Sequence, residues 1–449
     1  MVLELLYRGS FEGIMNKPLF ARTIEIIGYF YERVFHEKVS VDVEKFIKNL
    51  SYVSIGTLIS TVFSFGFNIL AGRWLGPSEY GFFTLVQSVA MFLYIPMTLG
   101  FTTALVKYNC EKIDFPRQRK IISTTFILVF IFTIVSLLFY LVFLKQIMTL
   151  FSISEDVFYF SLAFAVLFVF YNLMTETLRS IHKLYEYSLF KPIFSVILFV
   201  SFLIFIFVFK DLLYTSALFS MLIAYGITGG ILLAFLRKYI RPEFSRPCAY
   251  KLQTYSIYSL AGGISAAFYQ NIGKIILNMY LPVAMVGIYW AYTFSFTTII
   301  LLFSTIFSTV FFPVASMSQN KGMLFKRVNK VVILSIIFGW PFALVSGYII
   351  LKMYGSAYPF DLPLTLVSAT AGVCISVDML YGQLLNSVSV KGVKITSYAA
   401  VVLAVMSVIL SFLLIPIIGL VGAMAAIIIS YTVSIVIMVL KWPSLINSY

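Results

Sequence analysis

Between Lys120 and Lys145 the chain runs through residues 121–144 without a single charge. About 20 mostly apolar residues in helical conformation are enough to cross the hydrocarbon core of a bilayer. Stretches of this kind recur along the whole sequence, at 50–72, 82–106, 121–143, 157–178, 191–209, 213–236, 255–278, 286–311, 330–352, 362–386, 395–415 and 419–440. A transmembrane barrel would instead need strands of about ten residues with strict alternation. The sequence therefore predicts an all-α, polytopic membrane protein with twelve transmembrane helices. Composition agrees: 61% of residues are hydrophobic and 11% charged, with a mean hydropathy of +0.99. Soluble domains carry about 25% charged residues. Such a chain cannot cover a water-facing surface, which excludes a soluble enzyme, a disordered chain and a nucleic-acid-binding domain.

The loops set the orientation. Of 32 Lys and Arg, 27 fall on the side that holds both termini. Only Arg73, Lys145, Lys210 and Lys352 fall on the other side, and Lys274 lies inside a span. The bias toward basic cytoplasmic loops predicts a multi-pass protein of the cytoplasmic membrane with both termini inside. The net charge of +14 then reads as topology and attraction to anionic lipid, with no nucleic-acid partner. Loops on both faces are too short for an ATPase or kinase domain, and no phosphate-binding glycine loop occurs. Three widely spaced cysteines and two histidines suggest no disulfide framework, no metal site and no cofactor. Residues 1–49 read as a cytoplasmic segment rather than a signal peptide. Within it, 19–34 could form an amphipathic helix on the inner leaflet or an unstructured tail.

A shift of 206 residues aligns the two halves. Tyr52 falls on Tyr258, Gly56 on Gly262, Leu75 on Leu281, Gly81 on Gly287, Ala217 on Ala423 and Tyr225 on Tyr431. Spans one to six then map onto seven to twelve, each set starting from the same side. This predicts a parallel repeat: bundles 50–236 and 255–440, a cytoplasmic linker at 237–254, a short tail at 441–449, and a V-shaped central cavity between the bundles.

After the first span the chain reads Arg73-Trp74-Leu75-Gly76-Pro77-Ser78-Glu79-Tyr80-Gly81-Phe82-Phe83. This resembles the R-x-L-G-P-x-E-Y-G-x-[YF] signature of the polysaccharide-export flippases, a branch of the multidrug/oligosaccharidyl-lipid/polysaccharide superfamily. A degenerate copy runs from Leu281 through Gly287 to Tyr289. Tyr354-Gly355-Ser356-Ala357-Tyr358 and the segment from Ile415-Pro416 to Gly422-Ala423 resemble later stations of the family in the same order. Many members have fourteen spans; this chain has sequence for twelve. The resemblance implies a non-enzymatic flippase that moves a lipid-linked oligosaccharide from the inner to the outer leaflet. A polyprenyl carrier would stay in membrane lipid while its phosphate and sugars cross a polar path, coupled to a proton or sodium ion. Two alternatives stand beside it: a cation-coupled multidrug exporter of the same superfamily, and a membrane enzyme of glycan assembly. The enzyme would need acidic or histidine chemistry on long outer loops, which this sequence does not supply.

Polar residues at membrane depth are the candidate site. Lys274 in the seventh span reads as a counter-charge for the carrier phosphate, or as a side chain snorkelling to the outer interface. Gln270 and Asn271 lie one turn earlier and are expected to share its face. Asp378 in the tenth span reads as an ion-coupling site, or as an interhelical hydrogen-bonding group. Its repeat mate, Asn172, completes the set of cavity candidates. Glu176 and Arg179 are expected to form an interfacial ion pair. Asn68, Gln87 and Asn386 are expected to hydrogen-bond between helices, and Pro96 and Pro341 to interrupt theirs.

Overall fold

The computed structural model describes residues 41–110, 114–241, 243–317, 321–388 and 390–446, and no strand occurs among them. The segment 19–34 lies outside the described residues. Twelve helices follow in order: α1 (Val41–Thr98), α2 (Phe101–Asn109), α3 (Phe115–Val142), α4 (Leu144–Phe151), α5 (Glu155–Ser180), α6 (Leu184–Phe207), α7 (Tyr214–Leu236), α8 (Arg246–Tyr280), α9 (Val283–Met317), α10 (Lys321–Tyr354), α11 (Leu362–Val388) and α12 (Val390–Ile446). Among the described residues, nine helices are long and apolar enough to cross a membrane.

These helices are not the twelve spans one for one. Spans one and two are fused in α1, bent at Gly76, whose φ of 76° and ψ of 171° leave the helical region. Spans eleven and twelve are fused in α12, bent at Ile418 and Gly419. The apolar part of each, 44 and 55 residues, would measure about 66 and 82 Å if straight. Either is far longer than the roughly 30 Å of hydrocarbon a helix must cross. The second span ends sooner than expected. Pro96 removes a helical hydrogen bond near the end of α1, Leu99 and Gly100 take positive φ, and residues 101–109 continue as the separate α2. Conversely, Pro341 lies within α10, which continues through it to Tyr354. The linker expected at 237–254 is helical from Arg246 onward.

Within the first half, α5 and α6 pack on α1 and α7 packs on both; in the second, α10 and α11 pack on α9, and α8 and α11 on α12. The halves meet chiefly where α1 crosses α9. Gly81 and Gly287, paired by the 206-residue shift, lie at that crossing. A Cβ on Gly81 would strike the carbonyl of Val283, and one on Gly287 the carbonyl of Pro77. Pro77 and Val283 are themselves 206 apart, so each half gives the other the same contact. Reciprocal contact of this kind is the mark of a two-fold axis. Only glycine lets the backbones approach so closely.

Candidate functional site

The crossing closes one end of the molecule, and hydrogen bonds from the turn after α10 reinforce it. Tyr358 donates its hydroxyl to the Gly72 carbonyl at 2.8 Å, and Arg73 donates to the Met353 carbonyl at 3.4 Å. Tyr80, fully buried, donates to the Asn68 side-chain carbonyl at 3.0 Å and lies 3.4 Å from the Tyr354 hydroxyl. Asn278 at the end of α8 donates to the Ser152 carbonyl at 2.8 Å. All of these groups lie at the ends of the helices remote from the basic loops.

Toward the basic ends a cavity of about 310 Å³ lies between α1, α5 and α6 of the first half and α9 of the second. Its wall on α1 is a stripe of hydroxyls, Thr57, Ser60, Thr61 and Ser64. Their spacing of three, one and three residues puts all four on one helix face. On α6, Ser195 completes the stripe: its Oγ is 2.6 Å from that of Ser60 and 3.2 Å from that of Ser64. Tyr171 from α5 and Phe194 from α6 pack beside it with ring centres 5.2 Å apart and planes tilted by 36°, an apolar wall with a hydroxyl edge. The second half contributes Phe294 and Thr298 from α9. Phe294 meets Phe65 of α1 with ring centres 5.4 Å apart, one ring from each half.

Lys191 is the one charged residue among the described residues that line this cavity. It sits in the second turn of α6, one residue before Pro192, with its ammonium 5.4 Å from the centre of the Tyr187 ring. Among the described residues it has no carboxylate at ion-pair distance. Glu176 is instead held by Arg179 at 2.7 Å, the i, i+3 pair the sequence suggested. A cation amid hydroxyls and aromatic faces, with Glu176 within range of its charge, can attract an anion, while the hydroxyls hydrogen-bond a polyol and the rings stack against a sugar.

The structure does not gather the five sequence candidates into this cavity. Lys274 is buried, 5% exposed, with its ammonium 4.2 Å over the Trp290 ring of α9. Asn271, also buried, donates to the Ala267 carbonyl one turn back at 3.1 Å. Gln270 is exposed, so the polar face expected of 270, 271 and 274 is split. The cause is that successive helical positions are about 100° apart. Asn172 donates to the Tyr94 hydroxyl at 2.6 Å, tying α5 to α1. Asp378 accepts from Ser434 at 2.6 Å, tying α11 to α12 beside the Tyr269–Tyr431 ring pair. Asn68, Gln87 and Asn386 all engage neighbours: Tyr80, the Met221 sulfur and Thr396 respectively.

The residues that line the cavity were open to a pattern reading. The hydroxyl stripe is periodic in the sequence, and Lys191 stands at the boundary of the fifth span. Lys191 stands among the loop charges at the start of its span, and serine and threonine carry no charge to mark them at depth.

The packed helices, crossing closely at Gly81 and Gly287 and lining a crevice, have a fold found in membrane transporters. The chain superimposes on a multidrug-resistance MATE-family transporter of the MOP superfamily in its inward-facing conformation. That match has a TM-score of 0.62 and 15% identity over 86% of this chain and 96% of that one. Against an outward-facing conformation of such a transporter the TM-score is 0.59, with 13% identity over 92% of this chain and all of the other. The Vibrio cholerae MATE transporter VcmN, in its bent form, gives 0.53, with 14% identity over 89% and 98%. At these identities the likeness is one of fold. A comparison with curated proteins finds no match.

The profile of the family described as polysaccharide biosynthesis protein matches residues 46–319, more than half of the chain. The chain belongs to that family, and its fold is one shared with membrane transporters.

Proposed function

We propose that this protein flips a lipid-linked oligosaccharide from the inner to the outer leaflet of the cytoplasmic membrane, with both termini in the cytoplasm. The observation that carries the reading is the crevice: five aligned Ser and Thr hydroxyls, two aromatic faces and one cation, Lys191. Lys191 attracts the phosphate of a polyprenyl carrier, the hydroxyls and rings hold the sugars, and the polyprenyl tail stays in lipid. The halves are residues 50–236 and 255–440. The chain crosses the membrane twelve times, the two bent helices twice each and α8 once in addition to the other spans. As the halves rock about the two-fold axis, the headgroup passes from Lys191 to Lys274, which lies nearer the closed end. Asp378 is the candidate for coupling to a proton or sodium gradient.

The MATE-like fold supports a second reading, a cation-coupled multidrug exporter. One experiment separates the two. The full chain is reconstituted in vesicles with a fluorescent polyprenyl-diphosphate oligosaccharide in one arm and ethidium in the other. Flipping of the glycolipid, lost in Lys191→Gln, supports the proposal. Ethidium transport with no glycolipid movement overturns it.

A further inference from the structure

A second cavity, of about 350 Å³, lies at the basic ends of the helices and outside the crevice between the halves. It is formed where the end of α2 meets the first turns of α3 and α8. Ile121 and Leu252, both buried, make its floor, with Tyr108 as one wall. Arg117 of α3 and Lys251 of α8 stand at its mouth, exposed. Each is about one turn short of the apolar span that follows it, the depth of phospholipid headgroups.

Among the described residues, no carboxylate forms an ion pair with either of its two cations. Glu243 lies in the same region, but it is engaged by Arg119 at 3.4 Å and Lys120 at 3.7 Å. Asp114, at the N-cap of α3, is exposed, and among the described residues it forms no ion pair with either cation. Both α3 and α8 begin here without a side-chain cap, so the positive ends of two helix dipoles add to the two side chains. From this mouth α3 runs into the membrane with an apolar exposed face that includes Phe130, Ile131, Ile134 and Leu138. A ligand with an anionic head and long acyl chains fits both features at once. A soluble phosphate would use only the first.

We infer that this cavity binds the headgroup of an anionic phospholipid from the leaflet at the basic ends, with Arg117 and Lys251 on its phosphate and its acyl chains along α3. The lipid would clamp α3 of the first half to α8 of the second, and so act on the joint between them.

Cys248 lines the same cavity and supplies the probe. The full chain carrying Cys110→Ser and Cys374→Ser is placed in nanodiscs of phosphatidylcholine with increasing phosphatidylglycerol, where both faces are accessible. Labelling of Cys248 by N-ethylmaleimide is then timed. Phosphatidylglycerol slows the reaction saturably. Arg117→Gln with Lys251→Gln shifts the lipid concentration for half-protection up by about 30-fold. Both positions are exposed, so the variant keeps its fold. Equal labelling at every lipid composition overturns the inference, as does unchanged protection in the double variant. Protection by inorganic phosphate alone, matching that of the lipid, would make this a soluble-anion site and overturn the lipid assignment.

Discussion

Replacing Gly287 by alanine tests whether the close crossing of α1 and α9 holds one end of the molecule shut. The added methyl would fall well inside ordinary contact, about 3.5 Å, of the Pro77 carbonyl carbon and oxygen. Neither atom can turn aside, because both are backbone, so the crossing helices must separate by about 1 Å. Overpacking of this kind costs about 1–3 kcal/mol. The cost falls on the closed end alone, so the equilibrium between closed and open states shifts by about 5- to 150-fold. Gly81→Ala presents the same methyl to the Val283 carbonyl and should shift it equally. The double variant should cost less than the sum, because one separation relieves both collisions. Spin labels at Lys210→Cys and Ser356→Cys, both exposed on the remote loops of opposite halves, report the opening as a new long-distance population. An unchanged distance distribution in either single variant, with unchanged thermal unfolding, would refute the reasoning. Fully additive costs would refute the shared axis.

Tyr358→Phe deletes the hydrogen bond to the Gly72 carbonyl; a loss of about 1 kcal/mol should open the same end, seen with the same spin labels. Lys274→Met keeps the length of the side chain and removes a buried ammonium that has a ring and, among the described residues, no carboxylate at ion-pair distance. Thermal stability should hold or rise while glycolipid flipping slows, and full flipping would remove Lys274 from the substrate path. Asp378→Asn retains an acceptor for Ser434, whereas Asp378→Ala strands that hydroxyl at a cost of about 1 kcal/mol, read as a lower unfolding temperature. Both should lose dependence on an imposed ion gradient, and unaltered dependence in both would dismiss Asp378 as the coupling site.

The fold was legible because bilayer insertion is a strong and local constraint. Charge-free stretches such as 121–144 can do little else, and one offset of 206 residues carried Gly81 onto Gly287 before their contact was visible. Helix continuity was less legible. Whether the chain stops between spans depends on backbone angles at single residues, Gly76 and Gly419 bending their helices where Leu99 and Gly100 break one. The site was least legible. Lys274 and Asp378 drew notice because a charge at depth is costly, and such a group is often satisfied by whatever neighbour it finds, here a tryptophan ring and a serine. The crevice is built from hydroxyls on α1, α6 and α9, each of little cost alone. Their meaning comes from the three-dimensional meeting of Ser60, Ser64 and Ser195, which no single helix displays.

The chain between α7 and α8 is fastened down. The Arg241 amide donates to the Ser123 hydroxyl at 3.0 Å, the Ser245 amide to that of Thr124 at 3.2 Å, and Glu243 is gripped by Arg119 and Lys120. The connection is therefore no slack tether, and the foot of α8 travels with the first half. Any swing of the remaining helices has to be absorbed higher in α8, where Gly262 and Gly263 face open space roughly 24 Å beyond Arg246. Under the proposed rocking of the halves, the joint would be an elbow within a rod rather than a loose cord, set at two adjacent glycines.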